Sequence, residues 1–319
     1  METGAGTTVP FPYKPYITAM LIEYKNPDGS LIAEKVLPYI KVESKTYSYN
    51  KFPAGTNFSI PDEMEVGRVS KTPEVYFKAT QEPAELVTYA VQSPIPRLDN
   101  ELTPAAFDVT SKTVARLLNI HDLQHEVEVS DLLRNPNTYP AENQMAFAPG
   151  SRWSDPATDP FTLIEKTLVN AFVPFNKLVL GADVWFELSK HPKVIQAILG
   201  NANTAGRVTK EEFAYKLGLD EVIVGRARVD VSAPGPDKQP VFKRCWEKDA
   251  ILLKVDPLST TMQDFTFGLT AELKSGRQVL HHVETNQGAK YSDVYRVVHS
   301  RKPHIMANKL GFLFKGCVE

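Results

Sequence analysis

A few side chains have types and spacings that could do chemistry. His121-Asp122 with His125 puts two imidazoles at i and i+4, on one face of a helix, a spacing that can hold a metal ion. The Glu that would follow the first histidine in a zinc-protease motif is missing and no third ligand is evident, so a solvated or interface histidine pair is expected. His281-His282 falls in a strand-like run, where successive side chains point to opposite faces, so the two rings cannot share one ion. Cys245 and Cys317, the only cysteines in 319 residues, are too few for a disulfide framework. Two reduced thiols are expected, with an inter-subunit bond through Cys317 as the sharper alternative. Arg226 and Arg228 alternate after Gly225, either as a basic stripe for inter-subunit salt bridges or as a solvated strand face.

The motifs of the common enzyme classes are missing. Gly4-Ala5-Gly6 is not a phosphate loop, because no Lys-Ser/Thr pair follows at the required spacing and no strand precedes it. No Gly-x-Gly-x-x-Gly fingerprint occurs, and no Gly-x-Ser-x-Gly elbow; Pro149-Gly150-Ser151 reads as a turn. Nothing in the sequence places two carboxylates in one cleft for general acid–base work. The expectation is therefore a non-enzyme: no catalytic residue, no cofactor-binding residue, no metal site.

Composition fits a globular chain, at 42% hydrophobic and 23% charged, with enough length for a sizeable core. The formal net charge of −2 gives no sign of direct nucleic-acid reading. Residues 1–11 lack the basic and apolar regions of a signal peptide, and no apolar run approaches the roughly 18–20 residues that span a bilayer. Asn57-Phe58-Ser59 matches a glycosylation sequon and is expected to be a chance match.

The elements that would position these residues can be read from period and punctuation. Residues 1–16, rich in Gly, Thr and Pro, read as an extended arm that needs a partner surface. Residues 17–22, 36–42 and 74–79 read as strands, separated by the turn chemistry of Pro27-Asp28-Gly29, Pro53-Ala54-Gly55 and Pro61-Asp62. That stretch contains little that could form a compact core and is expected to project as a hairpin or small sheet.

Thr103-Pro104 suits a helix start, and Ala106, Val109, Thr113, Leu117, Ile120, Gln124 and Val127 predict one buried face, with Asn135-Pro136 as the stop. Asp159-Pro160 starts another helix. Strands are expected at 177–180, 222–224 and 250–255, with helices at 183–189 and 194–199 and a capping box at Thr209-Lys210-Glu211-Glu212. The chain closes with strands at 279–283, 291–298 and 310–314.

The middle segment carries a resemblance. Asn176-Lys177-Leu178-Val179-Leu180-Gly181, Val184-Trp185-Phe186-Glu187-Leu188 and His191-Pro192-Lys193-Val194-Ile195 resemble the strand and Trp…Leu…His-Pro helix of tailed-bacteriophage major capsid proteins. Val208-Thr209 with Phe213 and Leu217, Leu219 through Ala227, Trp246 through Leu253 with Asp256-Pro257, Phe265-Thr266-Phe267-Gly268 and Leu310-Gly311-Phe312-Leu313 follow in the family's order. Each piece is weakly specific alone, and the ordered series over about the last half of the chain is what carries the likeness.

The resemblance implies an α+β chain with the Hong Kong 97-like shell fold. Its parts would be an N-terminal arm (1–30), an extended β-hairpin loop (31–98), a peripheral domain with a spine helix (99–175 and 270–319) and an axial domain (176–269). It further implies a virion protein, assembled in the bacterial host cytoplasm. Pentamers and hexamers of one chain would form an icosahedral head around double-stranded DNA, contacted non-specifically, with a portal and decoration protein as further partners. Met at residue 1 leaves no room for a cleaved scaffolding segment, so a separate scaffolding protein is expected. Some members form Lys–Asn isopeptide cross-links, and Lys41, Lys45 and Lys51 lie in the loop, though solvated or salt-bridged lysines are the plainer reading. Two other readings stay open: an encapsulin-type compartment shell and a cytosolic α/β enzyme.

Overall fold

Two sheets, and one long helix that covers part of each, organise the chain. The computed structural model describes residues 29–51, 64–65, 72, 80–97, 109–200, 206–232, 239, 241–256, 266–286 and 291–319. The first elements are α1 (Ala33–Val36), β1 (Tyr39–Val42), β2 (Thr46–Lys51), β3 (Thr80–Glu85) and β4 (Val87–Pro96). The long helix α2 (Val109–Arg134) and the short strand β5 (Gln144–Ala146) follow. The middle comprises α3 (Pro160–Val169), β6 (Lys177–Gly181), α4 (Ala182–Lys190), α5 (Pro192–Leu199), α6 (Lys210–Leu217), β7 (Glu221–Gly225), β8 (Arg228–Asp230), β9 (Phe242–Arg244) and β10 (Ala250–Leu253). The chain ends with β11 (Gly268–Leu273), β12 (Gln278–Glu284), β13 (Ser292–Ile305) and β14 (Gly311–Lys315).

One sheet runs β5-β14-β10-β6-β7. Its central strands are apolar without a break because both faces are covered, and period-2 alternation sorts the side chains. Leu178, Leu180, Val222, Ala250, Leu252 and Phe314 face α3 to α6, whose Ile164, Val184, Leu188, Val194, Ile195 and Phe213 complete that core. Val179, Ile223, Ile251, Leu253 and Leu313 face the opposite way, against Val129 and Leu133 of α2 and Val36 and Leu37 beside α1. The helices on the first face start as the sequence indicates. The Asp159 carboxylate accepts from the Thr162 amide ahead of Pro160, and Thr209 and Glu212 form a reciprocal capping box.

The other sheet is built on β13, fourteen residues long. β4 pairs along one side of it; β12 and β11 share the other, and β1 joins β11 in parallel. Val114, Leu117 and Leu118 of α2 pack on Ile95, Val279, Tyr295 and Val297 of this sheet. The helix has 26 residues, about 39 Å at 1.5 Å each, which lets its first half cover one sheet and its second half the other. β4 has no other partner strand among the described residues. The Arg97 amide donates to the Tyr291 carbonyl in continuation of the β4–β13 ladder, so the alternate residues Pro94 and Pro96 turn their backbone to the open edge.

Several expectations change. The strand expected over 36–42 begins at Tyr39, because residues 33–36 form a helical turn and Pro38 follows it. The segment expected to hold little core supplies Ile32, Ala33, Val36 and Leu37 to the interior. Residues 31–98 are not one projecting loop: β1 and β4 belong to the β13 sheet, and only β2 and β3 form a separate two-stranded hairpin. β14 lies between β5 and β10, so the C-terminal segment closes the sheet of the middle segment as well as its own.

The helix stops at Arg134 ahead of Asn135-Pro136 as expected, but its buried stripe runs through Val114, Leu117, Leu118, His121, His125, Val129 and Leu133. Ile120, expected inside, is 51% exposed. The expected elements at 17–22 and 74–79, the arm, the sequon and the Thr103-Pro104 start lie outside the described residues.

Leu180 is fully buried between β10 and the covering helices. Leu180→Ala is expected to cost about 2–5 kcal/mol in urea unfolding of the subunit, and a loss under about 1 kcal/mol would contradict this packing.

Candidate functional site

The polar residues on the buried stripe of α2 meet charged residues of both sheets and form a seam along the helix. Its centre is Arg301 of β13, whose side chain is 0% exposed. One guanidinium nitrogen contacts Nδ1 of His125 at 2.5 Å and Oε2 of Glu128 at 3.0 Å. Another donates to the His121 carbonyl at 3.3 Å and to the Gln124 side-chain oxygen. The Tyr89 ring lies 4.9 Å from the cation, and its hydroxyl donates to Glu128. An unpaired guanidinium here would be prohibitively dehydrated, and Gln124, Glu128, Tyr89 and His125 exist at this spot to receive it.

The imidazoles around it are held neutral. His125 must keep a lone pair on Nδ1 to accept from Arg301, and burial together with that cation lowers its pKa well below the ordinary value. Its ring stacks on Tyr39 of β1 at 5.2 Å. His121 donates from Nε2 to the Val297 carbonyl, and burial pushes its pKa down to about 4. His299 faces Glu272 at 3.1 Å; burial still lowers its pKa, with Arg277 and Arg301 adding to the effect. Arg277 is itself paired to Asp122 at 2.6 Å.

Further along α2, the seam turns to the other sheet. Glu126, fully buried, accepts from the amides of Ile32 and Ala33 and from the Trp246 indole at 2.5 Å. It thereby caps α1 and ties the N-terminal segment to the turn after β9. Burial raises its pKa despite these bonds. Arg134, the last residue of α2, donates to Asp249 at 2.8 Å, to the Cys245 carbonyl at 3.0 Å and to Glu247. Lys315 of β14 bridges back to Asp249 at 3.3 Å and to the Arg134 carbonyl at 2.8 Å.

Against the sequence reading, His121 and His125 do share a helix face, but that face is buried, so the pair is neither solvated nor a ligand set. Among the described residues no group of His, Cys, Asp and Glu is arranged to hold a metal ion. His281 and His282 separate as the strand period requires, onto Asp293 and Glu284. Arg226 and Arg228 are both exposed, flanking buried Ala227. Lys41 is exposed, Lys45 pairs with Glu85, and the Lys51 side chain lies outside the described residues.

Cys317 is 0% exposed, inside the core beneath α3 to α6, and Cys245 is buried beside Trp246. That placement overturns the inter-subunit bond through Cys317, since no second subunit can reach the sulfur without unfolding this one. Sequence reasoning missed Glu126, Arg134, Trp246, Asp249 and Arg301. A signal was present: polar residues at 121, 125, 126 and 130 fall on the helix stripe that continues Val114, Leu117 and Leu118.

Two consequences can be measured. The unfolded chain protonates its histidines near 6.5, while His121 in the fold resists to about 4, so stability present above 6.5 is lost as pH falls through that window. His125 and His299 act in the same direction; Glu126, with a raised pKa, opposes. Urea midpoints should fall with acidification over this range, and His121→Gln should flatten the slope; a pH-independent midpoint contradicts the buried neutral cluster. Burial raises the Cys317 pKa and pushes that of Cys245 up to about 11. A thiol reagent should therefore label neither before denaturation, and non-reducing gels should show a monomer band without ladders.

A comparison with protein-family models finds no match. A major capsid protein of Pseudomonas phage JBD67 is 32% identical over 313 residues, covering 98% of this chain and 99% of that protein. The major capsid protein of Burkholderia phage BcepMu is 24% identical over 66% of this chain and 68% of its own length. Among solved structures, a phage-related protein from Bordetella bronchiseptica RB50 superposes with a TM-score of 0.74 over 96% of this chain and 98% of that one, at 21% identity. The SrpI encapsulin of Synechococcus elongatus shares the fold at a TM-score of 0.55 and 11% identity. The fold is thus common to phage shells and encapsulins, and the full-length sequence identity decides between them. The chain belongs to the family of bacteriophage major capsid proteins, with the Hong Kong 97-like shell fold.

Proposed function

We propose that this chain is a structural, non-enzymatic subunit that assembles as pentamers and hexamers into the icosahedral head of a phage and encloses double-stranded DNA without reading its sequence. The observation that carries the reading is the end-to-end match to a phage major capsid protein, 98% of this chain against 99% of the relative. The β5-β14-β10-β6-β7 sheet with α3 to α6 is taken as the axial domain around the capsomer axis, and the β13 sheet with α2 as the peripheral domain. The projecting loop narrows from residues 31–98 to the β2–β3 hairpin. Two physical features support a subunit completed by its neighbours. The hairpin pairs with no other described strand, and the axial half presents Phe186, Tyr215, Val231 and Phe242 to solvent. A net charge of −2 suits a wall that surrounds DNA and lets it slide. The portal and decoration protein belong to the same proposal.

Electron microscopy of the expressed chain tests the reading. Closed, regular shells are expected, and a stable monomer or dimer under all assembly conditions would sink it. Deleting residues 1–16 should lower particle yield while leaving the subunit's circular dichroism and urea midpoint unchanged. Undiminished yield would remove the arm from the mechanism.

A further inference from the structure

The turn from Cys245 to Asp249 grips α2 at two places. Trp246 holds Glu126, and Glu247, Asp249 and the Cys245 carbonyl together hold all three nitrogens of the Arg134 guanidinium. The grips are eight residues apart on one helix, about 12 Å along its axis. One contact fixes a position; two contacts at that separation fix a direction.

The turn is anchored to the axial sheet as firmly as to the helix. A Cβ on Gly181, at the end of β6, would lie 1.8 Å from the Glu247 carbonyl oxygen, and a Cβ on the paired Gly225 of β7 would lie 2.1 Å from the Trp246 ring. Only glycine lets the turn seat this closely. The Gly181 amide donates to the Asp249 carbonyl, the Cys317 amide to the Lys248 carbonyl, and the Gly316 amide to the Asp249 carboxylate. Glu247 has φ +40, a left-handed conformation that a non-glycine residue keeps only where its surroundings impose it.

We propose that this turn is a clamp that sets the angle between α2 and the axial sheet, and that Arg134 is the positioning residue through which that angle fixes the diameter of the shell. The proposal rests on the shell reading above. On the shell reading, neighbours are taken to meet both sheets of a subunit, so the angle between the sheets becomes the angle between neighbours. A fixed angle repeated around the shell allows one closure, and a loose angle allows several.

The test compares particles of the full chain carrying Arg134→Met, Glu247→Ala or Ile164→Val by electron microscopy, alongside the unaltered chain. Ile164 is fully buried on the far face of the axial sheet and serves as the control for lost stability alone. The unaltered chain should give one sharp diameter. Arg134→Met should lose it, giving shells of several diameters and open curved sheets, and Glu247→Ala should broaden the distribution less in the same way. Ile164→Val should keep the sharp diameter at a lower unfolding midpoint. Clamp variants with the original diameter and spread overturn the proposal, as does equal broadening by Ile164→Val. Should Arg134→Met fail to fold, Glu247→Ala, altered at a half-exposed carboxylate, decides alone. Failure of the unaltered chain to form shells would instead remove the shell reading.

Discussion

A charged side chain taken out of water must find its partners inside, and the architecture of this chain follows from where that happens. Arg301 of β13 is fully buried against α2, and the helix meets it with Gln124, His125, Glu128 and the His121 carbonyl. His121 and His125 sit on the stripe that an ordinary amphipathic helix gives to leucine and valine, and Gln124 and Glu128 flank it. Removing one member would leave the rest dehydrated and unpaired, which is far more costly than exchanging one apolar residue for another. The arrangement fixes the register of helix on sheet more strictly than apolar packing does, because cores accept many apolar combinations but few unpaired charges.

The same helix then changes partner. Beyond Glu128 it leaves the β13 sheet for the one that contains β6, β7, β10 and β14, with Val129 and Leu133 packed on Val179, Ile251 and Leu313. A single rigid rod thus spans both sheets, and ionic contacts of directional geometry hold it at its middle, through Asp122 and Glu128, and at its C-terminal end, through Arg134. Val114, Leu117 and Leu118 make apolar contact ahead of these, and Val129 and Leu133 between them.

Much of this was legible in residue order. The Asp159-Pro160 start, the Thr209–Glu212 box and the unbroken apolar runs of β6, β7 and β10 are local signals, and each stands where the sequence puts it. What escaped was set by distant partners. Ile120 fits an apolar spacing but faces solvent, since the helix rolls to bring His121 and His125 toward β1 and β13. No local pattern announces that β4 and β1 join strands about two hundred residues away, or that Cys317 closes a core begun at Trp153. The charged seam was hidden for the same reason: its members look like ordinary surface residues until both sheets are in place.

The open edge of β4 bears on how such a chain survives before it has neighbours. A row of unsatisfied amides on an exposed strand is a template for further strands, and a chain made in bulk for a shell passes through a crowded stage at which fibres compete with closed particles. Pro94 and Pro96 face that edge and have no hydrogen to offer, so an incoming strand finds gaps where its acceptors need donors. Its Pro94–Pro96 end offers no donors, which favours growth through the curved contacts that close on themselves.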